Sequence, residues 1–485
     1  MITLDRVLEL FNELNSYPRG SGNRKPVADF LCNFAKEKGL EYYRDECENV
    51  VIKKKASEGM EKCPSLILQA HYDMVCVKDE DVAHDFLKDP ITSYIEDGWL
   101  KAKGTTLGAD NGIGVAIMLA FLESYIKAPY LECVFTSEEE TNMEGAKNLD
   151  KSILKSRYMI NLDEETEESI TVSSAGISDI RLNFKKHEII EEYVNDNKTV
   201  LEINIDGLKG GHSGIDIKHN RVNAVQLVCD LLNNLAPFNV EVLDIKAGTH
   251  MNAIPKDAYV SLAVDNDKYA SVKDFINKYM DDKKMEYKES EPDFTLVMQE
   301  SGNKYSTKMK DGFVSSLISM VKELPCGALA YDSEIPELVE TSANIGRIVS
   351  ENDVLSIWVS VRSSVDEKLD GLVETITGIG MKYEADVKVG FHEYGWPVNK
   401  DSKLVPYLLK IKKERNEKLP RVIGIHAGLE CGTFSRGIKN ADICAIGPNI
   451  MNPHTTSEKV EVKSIENFVG FLETVINRFD EIERL

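Results

Sequence analysis

Three short apolar runs in the N-terminal part of this 485-residue chain each end in ionisable residues. They are Leu66-Ile67-Leu68-Gln69-Ala70-His71-Tyr72-Asp73, Cys133-Val134-Phe135-Thr136-Ser137-Glu138-Glu139-Glu140 and Tyr158-Met159-Ile160-Asn161-Leu162-Asp163-Glu164-Glu165. Apolar runs this short and uninterrupted suit strands buried within a layered sheet. In open α/β sheets, active groups sit at the carboxyl ends of such strands. The pattern predicts strands over 65–70, 131–135 and 158–161, alternating with helices over 4–14, 25–38 and 112–124. Leu4, Val7, Leu8, Leu10, Phe11 and Leu14 give the first helix its apolar face.

Each run has a plain reading and a chemical one. Neutral imidazole is a common zinc ligand, and Asp73 stands where it can accept the other ring N–H of His71; the plain alternative is a satisfied loop histidine. Asp110 lies among glycines in Thr106-Leu107-Gly108-Ala109-Asp110-Asn111-Gly112-Ile113-Gly114, just before an apolar helix. It reads either as a helix cap or as a carboxylate shared by two metal ions. Glu138, Glu139 and Glu140 are either a solvated acidic run or crowded charges whose repulsion a divalent cation relieves. Asp163 repeats the strand-then-acid theme. His454, in Asn452-Pro453-His454-Thr455-Thr456, says little alone. No HExxH, GxSxG or Walker A pattern occurs, which disfavours a helical single-zinc site, a serine elbow and a phosphate loop. Together, two histidines and three carboxylates form a nitrogen and oxygen set that zinc accepts.

Composition narrows the class. Hydrophobic residues make up 42% and charged residues 29%, as in a globular protein, and the length implies two domains. A formal net charge of −23 argues against nucleic acid or an anionic membrane as partner. The first twenty residues do not read as a signal peptide, and no apolar stretch is long enough to span a membrane. Nine cysteines without a CxxC pair suit reduced thiols, so a cytoplasmic location is expected.

Beyond the polar run 188–198 the texture changes to shorter strands and helices, including 199–205, 258–264 and 354–361. A return linker is expected at 395–397, with loops at 426–432 and 445–448. The expected architecture is α/β: an α/β/α sandwich catalytic domain with a mixed sheet, over 1–180 and 395–485. An inserted α+β lid domain over 181–394 interrupts it.

The stretches LQAHYDMV, GTTLGADNGIG, FTSEEETNMEGA, INLDEE, GLKGGHSG, NAIP, HAGLECG and IGPNIMNPHTTSEKV, in that order, resemble the M20 family of metallopeptidases. The resemblance is strongest to its aminoacyl-histidine (Xaa-His) dipeptidase branch. It implies two divalent metal ions, zinc by default with manganese or cobalt as alternatives. His71 and Asp163 would hold one ion, Glu140 and His454 the other, and Asp110 would bridge them, with Asp73 supporting His71. Counting from either side of the glutamate run makes Glu139 the general base that activates a water shared by the metals. Asn142 replaces a common glycine without removing a ligand. In the lid, His212 of GGHSG would polarise the scissile carbonyl. Asn252 and Arg362 would grip the substrate's C-terminal carboxylate, with a surface charge as the alternative for Arg362. Glu430 would contact the substrate's amino group, and His426 would support the site or the fold. The implied substrate is a dipeptide and the implied assembly a homodimer. An N-acyl amino acid deacylase and an acidic cation-binding scaffold are the rival readings.

Overall fold

The computed structural model describes residues 2–333 and 335–484. Two compact units emerge: Met1–Ser174 with Trp396–Gly424 and Leu429–Leu485, and Ala175–Gly395 with Ile425–Gly428.

The first unit is built on an eight-stranded sheet. Its order is Glu41–Arg44, Val50–Lys54, Leu131–Thr136, Leu66–His71, Tyr158–Asn161, Asp442–Ala445, Ser169–Ser174 and Arg421–Ile425. The four central strands, from Leu131–Thr136 to Asp442–Ala445, run parallel, and the pairings of Glu41–Arg44 with Val50–Lys54, Val50–Lys54 with Leu131–Thr136 and Asp442–Ala445 with Ser169–Ser174 are antiparallel, so the sheet is mixed. The central strands are buried on both faces, which is why their sequences read as unbroken apolar runs. On one face Val51, Ile67, Val134 and Met159 pack with Cys431 and Phe434 of the helix Glu430–Gly437. The opposite face carries the helix Ala109–Glu123, which packs on the Leu66–His71 strand and against the helix Leu4–Asn15. Leu4–Asn15 buries Val7, Leu10, Phe11 and Leu14, one stripe at helical spacing, and Thr3 caps its first turn. Ala109–Glu123 is apolar all round because it is enclosed all round.

A small four-stranded sheet was not anticipated. Its order is Ile450–Met451, Lys459–Glu461, Trp99–Ala102 and Ser93–Glu96. It holds the 452–458 loop, and with it His454, between two paired strands.

The second unit carries a nine-stranded antiparallel sheet. Two long pairings join Val354–Ser363 to Val339–Glu351 on one side and to Gly176–Lys185 on the other. Burial alternates along Gly176–Lys185, the period-two signature of a sheet with one covered face. Helices that include Ala224–Leu235 and Asp311–Glu323 supply the other half of that core.

Two sequence expectations need correction. The segment 426–432 is not wholly loop, since a helix begins at Glu430. Its glycines suggested a loop, but Leu429 is extended and the chain turns helical directly after it, burying Cys431. Ala445 is the last residue of a buried strand rather than a loop residue. The polar run 188–198 also holds the end of a short helix, Lys186–Ile189, and a strand, Ile190–Glu192.

Candidate metal centre

Three parallel strands end side by side, and their last residues and following loops converge. His71 closes the Leu66–His71 strand, fully buried. Its Nε2 lies 3.1 Å from Asp110 Oδ1 and 3.2 Å from Asp163 Oδ1. Its Nδ1 lies 3.2 Å from the Asp73 carbonyl and 3.5 Å from Asp73 Oδ1. The ring therefore directs one nitrogen into the acidic cluster and the other onto Asp73. His454 Nε2 sits 3.1 Å from Asp110 Oδ2 and 3.0 Å from Glu140 Oε2. Each carboxylate oxygen of Asp110 thus faces a different imidazole. Asp110 and Asn111 depart from helical torsions, so the helix proper starts after them and the Asp110 side chain is free of a capping role.

The glutamate run is sorted by geometry. Glu138 takes the Gly22 N–H at 2.6 Å and pairs with Arg24 at 2.8 Å, so it is committed to the fold. The backbone N–H groups of Glu139 and Glu140 donate to Asp73 Oδ1 and Oδ2 at 3.1 and 3.3 Å, which fixes the turn that presents both side chains. Glu139 Oε2 lies 3.9 Å from His71 Nε2, while Glu140 engages His454.

Among the described residues, His71–Asp110–Asp163, Asp110–Glu140–His454 and His71–Glu139–Glu140 each bring three donor atoms within 4.8 Å of one another. Zinc takes imidazole nitrogen and carboxylate oxygen at about 2 Å, so donors near 3 Å apart can share one ion. The electrostatics agree. Burial, reinforced by Asp163, Glu140 and Glu430 against the pull of His71, raises the Glu139 carboxyl well above its usual range. Burial also raises Asp163. Hydrogen bonds to Asp110 and Glu140 lift His454 to about 11. A site that holds protons this strongly attracts any cation, and the donor set fits two divalent metal ions.

The sequence profile of "Peptidase family M20/M25/M40" matches residues 67–478. The chain belongs to that family. The cytosol non-specific dipeptidase of Escherichia coli (strain K12) is 34% identical over 466 residues, covering 95% of this chain and 94% of that protein. The crystal structure of aminoacylhistidine dipeptidase from Vibrio alginolyticus superposes with a TM-score of 0.90 at 31% identity, covering 98% of this chain and 96% of that one. Aminopeptidase PepT from Bacillus cereus shares the fold, with a TM-score of 0.57 at 14% identity over 99% of both chains.

In this M20/M25/M40 peptidase a polar layer that sequence reasoning missed lies under the ligands. Gln69 donates to Glu430 Oε2 at 2.5 Å and accepts from Asn161 at 2.6 Å, and Thr136 donates to Glu430 at 2.7 Å. Asn111 donates to Asp163 Oδ1 at 2.6 Å. The available signal was a polar residue inside an otherwise apolar strand, Gln69 in LILQAH and Asn161 in YMIN. Glu430 is fully buried, and burial pushes its carboxyl up to about 8. Gln69 and Thr136 both donate to its Oε2, while its Oε1 has no hydrogen-bond partner.

The second unit gathers its own expected residues. His212 and Ala253 pair across a two-residue ladder, and the Ser213 N–H donates to the Asn252 carbonyl at 2.8 Å. The GGHSG and NAIP motifs are thus adjacent. The N–H groups of Gly214 and Ile215 donate to His212 Nδ1 at 3.2 and 3.1 Å. With Nδ1 an acceptor, the neutral ring carries its proton on Nε2 and can donate there. Burial, then the Arg362 charge, lowers the His212 pKa and favours that neutral form. Arg362 is only 5% exposed, which rules out the surface-charge alternative. Its Nε has no hydrogen-bond partner. His426, also buried, contacts Ser342 Oγ at 2.7 Å through Nε2.

Proposed function

We propose that this chain is a dinuclear metal-dependent dipeptidase that hydrolyses short peptides, Xaa-His dipeptides among them. One observation carries the reading: Asp110 offers its two oxygens to two different histidines, each with a further acid beside it, and Glu139 stands next to the cluster. His71 and Asp163 would hold one ion, Glu140 and His454 the other, and Asp110 both. Zinc is the proposed metal, with manganese or cobalt able to replace it. When bound, such ions supply Lewis acidity that lowers the pKa of water and polarises a carbonyl.

The chain's own groups divide the remaining work. Asp73 orients His71 and, through two backbone N–H groups, the Glu139–Glu140 turn. Glu139 takes a proton from the attacking water as its oxygen bonds to the peptide carbon. It returns that proton to the leaving nitrogen as the C–N bond breaks. His212 Nε2–H donates to the carbonyl oxygen as negative charge develops there. Asn252 and Arg362 hold the C-terminal carboxylate, and the unpartnered Nε of buried Arg362 supports an anionic ligand. A ligand held by its end groups favours dipeptides over proteins. The Escherichia coli relative's name supports the cytosol as compartment; a homodimer rests on family resemblance alone.

The test is turnover of a dipeptide panel that includes Xaa-His, beside N-acetyl amino acids, after chelation and after return of zinc, manganese or cobalt. Dipeptide hydrolysis that is lost with chelator and restored by metal is expected. Turnover confined to N-acetyl amino acids would replace the reading with a deacylase.

A further inference from the structure

Two buried ions of opposite sign grip the Asp110 loop from within the same unit. Glu458 is 3% exposed, and its carboxylate accepts four successive backbone N–H groups. Leu107 and Gly108 donate to Oε2 at 2.7 and 2.9 Å, and Ala109 and Asp110 to Oε1 at 2.7 and 3.3 Å. Arg19 is 2% exposed and reaches the loop's carbonyl side. Its Nη2 donates to the Gly108 carbonyl at 2.6 Å and to Asn15 Oδ1 at 2.9 Å, and its Nη1 to the Tyr72 carbonyl at 3.2 Å. The Met74 N–H returns a bond to the Arg19 carbonyl at 3.1 Å.

Neither side chain belongs to the donor clusters, yet each ties two ligand-bearing segments together. Glu458 joins the Asp110 loop to the segment of His454. Arg19 joins the same loop to the segment of His71 and Asp73. The packing leaves no slack: a Cβ on Gly112 would lie 2.6 Å from Arg19 Nη2, and one on Gly108, held at φ +67°, would meet the same nitrogen. This accounts for glycine on either side of the Asp110–Asn111 pair. A buried charge is costly unless paired and hydrogen-bonded, and backbone groups alone could have been capped by a neutral side chain. Two opposed charges bonded to one short loop fix its position more tightly than neutral partners would.

We propose that Arg19 and Glu458 are positioning residues that set the spacing of the two metal sites by clamping the loop of their shared ligand, Asp110. The inference rests on the dinuclear reading above and adds to it two residues outside the ligand set. Glu458→Gln keeps the shape but replaces one acceptor oxygen with an amide that opposes backbone N–H donors. Arg19→Lys keeps the charge but not the fork that spans two carbonyls. Chelator competition measures the affinity for each zinc ion, and the cobalt(II)-loaded protein reports ligand geometry through its visible spectrum. In a folded Glu458→Gln protein, affinity for at least one ion should drop by about 10-fold to 100-fold, the scale for groups behind metal ligands. The cobalt spectrum should shift, and kcat should fall with KM little changed. Arg19→Lys is read in the same way and decides the matter if Glu458→Gln does not fold. Both affinities and the spectrum unchanged in a folded variant would overturn the clamp. A wild-type protein that fails to hold two ions in the same assay would instead overturn the dinuclear reading.

Discussion

The two clusters treat buried imidazole in opposite ways. In the first, acids and imidazoles are interleaved, and His71 and His454 are held above their ordinary range because carboxylates outweigh any loss of water. In the second, burial wins: it pushes His426 down to about 3 and Arg362 down to about 10, with Asp179 the acid that partly offsets the Arg362 shift. Arg362 Nε lacks a partner. The first cluster carries excess negative charge and calls for cations. The second holds a guanidinium and neutral imidazoles in low dielectric and calls for an anion.

The comparison breaks most readily at Glu139, the one acid of the first cluster assigned to proton transfer. Glu139→Ala should retain its metal and lose at least ~100-fold in turnover, the scale of general-base catalysis. Turnover near that of the wild type would remove Glu139 from the role. In the second cluster, Arg362→Ala should raise KM by about 10-fold or more, as loss of a desolvated charge–charge contact does, with metal content unchanged. Equal kinetics would mean that its charge serves the fold alone.

The smallest expected effect sharpens the contrast in burial. His426 has a folded-state pKa far below its unfolded value, so the unfolded chain binds its proton first as pH falls. Its stabilising contribution is complete above pH 6.5 and is lost on descent towards about pH 3. His426→Gln should therefore flatten the fall of unfolding free energy below pH 6.5 by up to about 1.4 kcal/mol per pH unit. Superimposable slopes in denaturant titrations would refute this.

Three of the four parallel strands of the first unit, and the ends that carry His71, Glu139, Glu140 and Asp163, were legible because a strand buried on both faces leaves an unbroken apolar run; the fourth, Asp442–Ala445, was not. Asp110 and His454 were legible only through motif resemblance, since nothing local separates a cap or a loop histidine from a ligand. Arg19 and Glu458 were not legible at all. Apart from Asn15 beside Arg19, their partners are backbone groups, 53 and 89 residues away for Arg19 and about 350 for Glu458, and backbone groups leave no mark on sequence. The Ser93–Glu96 and Trp99–Ala102 hairpin escaped because its first strand is exposed and lacks alternation. Glu430 was placed in a loop because its neighbouring glycines mimic one, whereas it opens a helix and is buried. For Arg362, a single arginine on a strand carries no sign of whether its face is covered.

The most direct test of the account is a metal count on the dialysed protein by elemental analysis, with Asp110→Ala alongside. Two divalent ions per wild-type chain, and fewer than two once the carboxylate between the histidines is gone, is the predicted result. A wild-type protein that holds no metal, yet cleaves dipeptides at an undiminished rate, would contradict it.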